Sequence, residues 1–282
     1  MARVAVIHTG GIGDFLLFCP ALACLSEGNH VALFGQPERL AIASWGQIAQ
    51  EVHPLDAIEF SSVFSTPSAR LVRFAQSFDR HIVWMNDVDG AISTALHRAG
   101  ARDVQVFPGL PPATYRRHAS NYYLEMLGFS IGRPFRLPAL PVDPQWDLLI
   151  HPGSGSARKN WPIDRFIAVA DAFQQQGCTA AWLTGPAEGE MLLPAGEVIR
   201  PESLAALRMQ LVHTRAYLGN DSGVTHLAAA CGLPTVAVFG PTDPTVWAPL
   251  GEQVRGLQGT PWPSPAAVIN ALSSFVVPGY GV

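Results

Sequence analysis

Two apolar rhythms alternate along this chain. Short β-branched or apolar runs at 4–8, 30–35, 80–85 and 103–107, bounded by glycine, proline or charge, read as buried strands. Between them, residues 15–25, 37–50, 68–78, 88–100 and 115–127 carry apolar positions at helical spacing, and 51–60 reads as a short strand and turn. The pattern pauses at 131–145, where four prolines and little periodicity suggest a linker. It then restarts. Strands are expected at 147–151, 179–184, 216–219 and 235–239, helices at 163–176 and 224–231, a weak strand and helix over 197–209, and a last helix at 265–276. Strands separated by helices imply parallel sheets covered on both faces, so the class is α/β in two similar halves.

Each half empties its first strand into a loop of small residues. The first is Thr9-Gly10-Gly11-Ile12-Gly13-Asp14, which does not match the GxGxxG dinucleotide fingerprint. A glycine-rich strand-to-helix turn is where open α/β sheets bind ligands. Asp14 reads either as a helix-start carboxylate worth ~1 kcal/mol or as a base at the mouth of a site. The second loop is Pro152-Gly153-Ser154-Gly155-Ser156-Ala157-Arg158-Lys159-Asn160-Trp161-Pro162. Best organised is Gly219-Asn220-Asp221-Ser222-Gly223, leading into helix 224–231, the breaker Gly232-Leu233-Pro234 and strand 235–239. With Asp221 or Ser222 as N-cap, unpaired N–H groups and the positive end of a helix could cradle a phosphate; an ordinary capped helix is the plainer alternative.

Composition narrows the partners. The chain has 282 residues, 48% hydrophobic and 14% charged, with net charge −4. That is enough for two cores, and no overall field attracts nucleic acid. Any anion must be held by local geometry. Cys19, Cys24, Cys178 and Cys231 have no metal-ligand or Cys-x-x-Cys spacing, so free thiols and no metal site are expected. The N-terminus resembles a signal peptide up to Cys24, but Gly10-Gly11-Ile12-Gly13-Asp14 interrupts the apolar segment. A soluble, cytoplasmic protein is expected.

Three stretches, in order and at domain-scale spacing, resemble glycosyltransferase family 9, whose best-known members are lipopolysaccharide heptosyltransferases. They are Gly10-Gly11-Ile12-Gly13-Asp14; His151-Pro152-Gly153-Ser154 with Lys159-Asn160-Trp161-Pro162; and Asp221 to Ala229 with Phe239-Gly240-Pro241-Thr242-Asp243-Pro244. The resemblance implies the GT-B fold, two Rossmann-like domains with parallel sheets facing across a cleft. An acceptor-side domain at 1–132, a linker at 133–146, a donor nucleotide domain at 147–264 and a C-terminal helix returning to the first domain at 265–282 would follow. It implies an inverting, metal-independent transfer of a sugar, heptose by family default, from a nucleotide diphosphate donor, ADP-linked by the same default. The acceptor would be a bacterial lipopolysaccharide or other surface glycan or glycolipid, met by peripheral contact with the inner membrane face, and no cofactor would be needed.

By the same resemblance Asp14 is the base and Lys159 supports the leaving diphosphate. Donor contacts would come from Gly13, Ser154, Gly155, Ser156, Asp221, Ser222, Gly223 and Val224, with His226 either reaching the phosphates or packed in the core. Glu188 or Glu190 would meet the ribose. On the acceptor side stand His8, Gly10, Gly11, Arg116 and Arg117. His8 departs from the family, which usually has lysine or arginine there, so a cationic contact is lost or made pH-dependent. Two rival readings remain: another GT-B nucleotide-sugar enzyme, such as an epimerase or hydrolase, and a degenerate binding protein without turnover.

Overall fold

A computed structural model describes residues 1–132, 135–185, 193–194 and 196–276. The chain divides into two compact units, Met1–Phe135 and Arg136–Val282.

The first unit is built on strands β1 (Ala2–His8), β2 (Asn29–Gly35), β3 (Glu51–Pro54), β4 (Arg80–Trp84) and β5 (Asp103–Phe107). They form one parallel sheet in the order β3-β2-β1-β4-β5. Val4, Ala5, Val6 and Ile7 are all buried, as a central strand covered on both faces requires. Helices α1 (Ile12–Gly28), α2 (Pro37–Gly46), α3 (Ala69–Ser77), α4 (Ala91–Arg98) and α5 (Ala119–Met126) alternate with the strands. From β1 the chain first runs outward to β2 and β3, then returns to β4 on the other side. That reversal puts the topological switch point, and the crevice where such sheets bind ligands, beside the C-terminal end of β1.

The second unit repeats the scheme with β6 (Trp146–His151), β7 (Ala180–Leu183), β8 (Glu197–Ile199), β9 (Thr214–Asn220), β10 (Thr235–Phe239) and β11 (Val254–Gln258), in the order β11-β10-β9-β6-β7-β8. All its pairs are parallel. Its helices are α6 (Ile163–Gln174), α7 (Leu204–Val212), α8 (Gly223–Ala230), α9 (Pro244–Trp247) and α10 (Pro265–Ser273). The switch point lies between β6 and β9, so the loops that follow these two strands share the crevice. The α/β class with two Rossmann-like sheets is the one expected.

Two expectations need correction. Helix α1 starts at Ile12 rather than Phe15, which places Gly13 and Asp14 inside its first turn. Strand β11 was not foreseen: Val254–Gln258 carries Arg255, Gly256 and Gln258 and lies at a sheet edge, with no apolar run to announce it. The proline-rich stretch is partly pinned, since the Leu137 N–H donates to Ala230 O at 2.8 Å and Leu137 is buried. Helix α10 packs against residues of the second unit. Val268, Ala271, Leu272 and Val276 pack with Trp161, Phe166 and Phe173, and Arg255 Nη1 donates to Ala271 O at 2.7 Å. An amphipathic helix goes where its apolar face finds cover, and here that cover is α6.

Candidate functional site

In the first unit, β1 ends at His8 and the glycine loop turns directly into α1. The Asp14 carboxylate accepts from the Gly11 N–H at 2.9 Å, satisfying one of the unpaired donors at the helix start. Space is tight around it. A Cβ on Gly10 would lie 2.8 Å from His8 Cε1 and 3.2 Å from Asp14 Cβ. The loop is held from α2 by Arg39, whose Nε and Nη2 both donate to Gly10 O, at 2.8 and 2.6 Å. Arg39 was not foreseen; a lone arginine 29 positions along gives no local sign of its partner.

His8 lies in the core of the first unit. The residue is fully buried, its ring stacked on Phe18 with centroids 5.2 Å apart and edge-on to Phe15 at 5.2 Å. Neither ring nitrogen has a hydrogen-bond partner among the described residues. Burial, helped by the nearby Arg39 guanidinium, lowers its pKa from 6.5 to about 3. His8 is therefore a neutral core ring at working pH, not a cation for a ligand. Below pH 6.5 the unfolded chain takes up a proton that the folded one refuses, so stability falls with pH by about 1.4 kcal/mol per unit, and above 6.5 there is no contribution. Urea unfolding at pH 7 and pH 5 should show the wild type losing about 2 kcal/mol more than His8→Phe. Equal losses would mean that the ring is solvated.

Arg116 and Arg117 are exposed but locally engaged. Arg116 Nη1 donates to Ala113 O at 2.6 Å, and Arg117 pairs with Glu125 at 2.7 Å. Glu188 and Glu190 lie outside the described residues.

In the second unit the switch-point loops meet through one buried side chain. Asn220, at the end of β9, accepts from the Trp161 N–H at 2.8 Å and donates to Pro152 O at 2.7 Å. This ties the loop after β6 to the loop after β9. Ser222 is the N-cap of α8, its Oγ accepting from the Thr225 N–H at 3.3 Å. Gly223 and Val224 form the half-buried first turn, where backbone N–H groups lack helical acceptors. His226, one turn in, is buried. Ser154 donates to Asn160 Oδ1 at 2.6 Å and accepts from the Ser156 N–H at 3.3 Å, so it shapes its own loop. A Cβ on Gly155 would meet only open space. Trp161 is a core residue, 1% exposed and set edge-on to Phe166, as a helix-entry staple should be.

Beside the first turn of α8 lies an ion pair. Lys159 Nζ donates to Asp221 Oδ2 at 2.8 Å, and Thr242 Oγ1 donates to the same oxygen at 2.8 Å. Asp221 is buried at 7% exposure, whereas the Lys159 side chain is 36% exposed. An ammonium has three donors. One is spent on Asp221, which orients the group and leaves the others for an anion. Lys159 is also the only lysine among 18 cationic residues, the other seventeen being arginine. That singular usage was a signal in the sequence. The bond to Asp221 was not, because 62 positions separate the pair. Asp243, for its part, caps α9, accepting from the Thr245 N–H at 2.9 Å.

The site residues thus fall into two groups, one around Asp14 in the first unit and one around Lys159, Asp221 and Ser222 in the second. Known proteins resemble this chain in sequence and in fold. The model of glycosyltransferase family 9 (heptosyltransferase) matches residues 128–273. Lipopolysaccharide heptosyltransferase 3 of Escherichia coli K12 is 31% identical over 133 residues, which is 42% of this chain and 37% of that protein. The matched stretch therefore spans little more than a third of that relative. Among solved structures, a glycosyl transferase family 9 protein from Veillonella parvula DSM 2008 superposes with a TM-score of 0.76 at 19% identity, over 99% of this chain and 98% of that one. The E. coli heptosyltransferase WaaC, solved with ADP, gives 0.69 at 19% identity, over 96% and 99%. At such identities the likeness speaks for the fold, GT-B.

Proposed function

Since the chain belongs to glycosyltransferase family 9, we propose that it is an inverting glycosyltransferase moving a sugar, heptose by family default, from a nucleotide diphosphate donor to a bacterial lipopolysaccharide or surface-glycan acceptor. The observation that carries this reading is the Lys159–Asp221 pair set beside the capped first turn of α8. Displacement at an anomeric carbon needs a base for the incoming hydroxyl and a stabiliser for the charge that builds on the departing diphosphate. Asp14 takes the proton from the acceptor hydroxyl, whose oxygen forms the new glycosidic bond as the bond to the diphosphate breaks. Lys159 and the N–H groups of Gly223 and Val224 receive the leaving diphosphate, and Ser154, Ser156 and Gly155 supply the facing loop. Asp221 holds the ammonium in place through Oδ2. With a cation and a helix N-terminus assigned to the diphosphate, the reaction is proposed to run without a metal.

ADP is the base-bearing half of the donor in this proposal, because a relative of the same fold was solved with it. The enzyme would work in the cytoplasm and meet a glycolipid acceptor at the inner membrane face. The sole lysine makes the test direct. In protein labelled only at lysine, ADP should shift the single Lys159 side-chain signal and raise the melting temperature by several degrees, with EDTA present or absent. A signal indifferent to ADP, UDP, GDP and CDP would end the proposal. Activity lost to EDTA and restored by magnesium would end its metal-free part.

A further inference from the structure

An open groove of about 700 Å³ adjoins the ion pair within the second unit, lined by Arg158, Gly240, Pro241, Gln258, Pro261 and Trp262 among others. Its volume is within the range of small-molecule sites, roughly 300–1,000 Å³. Two links tie it to the candidate site. Arg158 directly precedes Lys159, and Gln258 Nε2 donates to the carbonyl of Thr242, whose hydroxyl bonds Asp221.

The groove has a prepared aromatic wall. Trp262 is half-buried, and its ring lies so close over Gly240 that a Cβ there would be 2.3 Å from Cη2. The loop behind it is pinned, because Pro263 O accepts from Trp161 Nε1 and from Arg165 Nη1, each at 3.2 Å. An indole fixed in this way pays little ordering entropy when a ring stacks on it. The lining also holds the exposed Arg158 and the side-chain amide of Gln258. The groove also takes in Gly259 and Thr260. A sugar fits it well: its C–H face covers the indole, its hydroxyls pair with Gln258, and a phosphate or carboxylate substituent takes the Arg158 fork.

We infer that this groove is a subsite for an anionic sugar, a ring stacked on Trp262 with its acidic substituent on Arg158. The binding is tested without turnover. Protein labelled with 5-fluorotryptophan, its Trp262 signal assigned by Trp262→Phe, would be titrated with glucose 6-phosphate, glucuronic acid, glucose and ADP. The two acidic sugars should move the Trp262 signal saturably, with ADP already bound or not. Glucose should bind more weakly, and Arg158→Ala should weaken the acidic sugars about tenfold, the scale of one charged hydrogen bond, while leaving glucose unchanged. If ADP alone moves Trp262 and competes with the sugars, the groove is part of the nucleotide site and the inference falls. It falls as well if no sugar moves the signal at tens of millimolar. Failure of the transferase reading would appear separately, as the indifference of Lys159 to every nucleotide.

Discussion

Replacing Asp14 with asparagine should cut the turnover of sugar transfer by about 10²–10⁴-fold, the usual loss when a positioned base is removed. Fold and nucleotide binding should survive. The amide oxygen can still accept from the Gly11 N–H, now at 2.9 Å from Oδ2, and the lost charge at the start of α1 costs only ~0.3–1 kcal/mol. Shape is unchanged, which matters because Asp14 Cβ would stand only 3.2 Å from a Cβ on Gly10. Asp14→Glu keeps the base but pushes it forward by one methylene, so an intermediate rate is expected. The measurement is turnover on an ADP-sugar and a core oligosaccharide, with the melting temperature and the Lys159–ADP titration as controls. Transfer by Asp14→Asn within tenfold of the wild type would return Asp14 to the role of a helix-start carboxylate.

That Asp14 stands at a helix start just beyond the first strand could be read from the chain, because a buried strand, small residues and a helix leave few other geometries. The doubly wound scheme was legible for the same reason. Strands buried on both faces advertise themselves as unbroken apolar runs, as at Val4–Ile7 and Val236–Phe239. What escaped was whatever depends on partners far along the chain. Strand β11 is an edge strand that needs no apolar run. The character of His8 was hidden too. A histidine after a strand looks like a ligand-facing residue until Phe15, Phe18 and Tyr123 close around it, and Tyr123 comes from more than a hundred residues away. In the second unit the loop that carries Lys159 was visible, but not Asn220 binding two loops together or Thr242 sharing Asp221 with the lysine. Long-range polar pairing leaves no periodic trace.

That pairing sets the other large expected effect. Lys159→Ala should weaken ADP binding or slow departure of the diphosphate by about 10²–10³-fold, as when one donor to a developing charge is removed. The loss has two parts. One is the missing attraction. The other is that the Asp221 carboxylate, buried and stripped of its cation, is left near an anionic ligand with only the Thr242 hydroxyl on Oδ2. An uncompensated buried charge is costly in itself. Adding Asp221→Asn to Lys159→Ala should therefore recover about tenfold of the lost ADP affinity, since the amide carries no charge and can still accept from Thr242. Alone, Asp221→Asn should weaken binding by freeing the ammonium to wander. Coupling of that sign is the mark of a carboxylate whose work is to hold the lysine. Titration of ADP into the wild type, both single variants and the double variant measures it, with Arg158→Ala as a neighbour control. If the double variant binds as weakly as the product of the two single losses, Asp221 acts on the substrate directly and independently of Lys159. If Lys159→Ala binds ADP and turns over like the wild type, the only lysine in the chain is a solvent residue, and the charge on the leaving group must be met elsewhere.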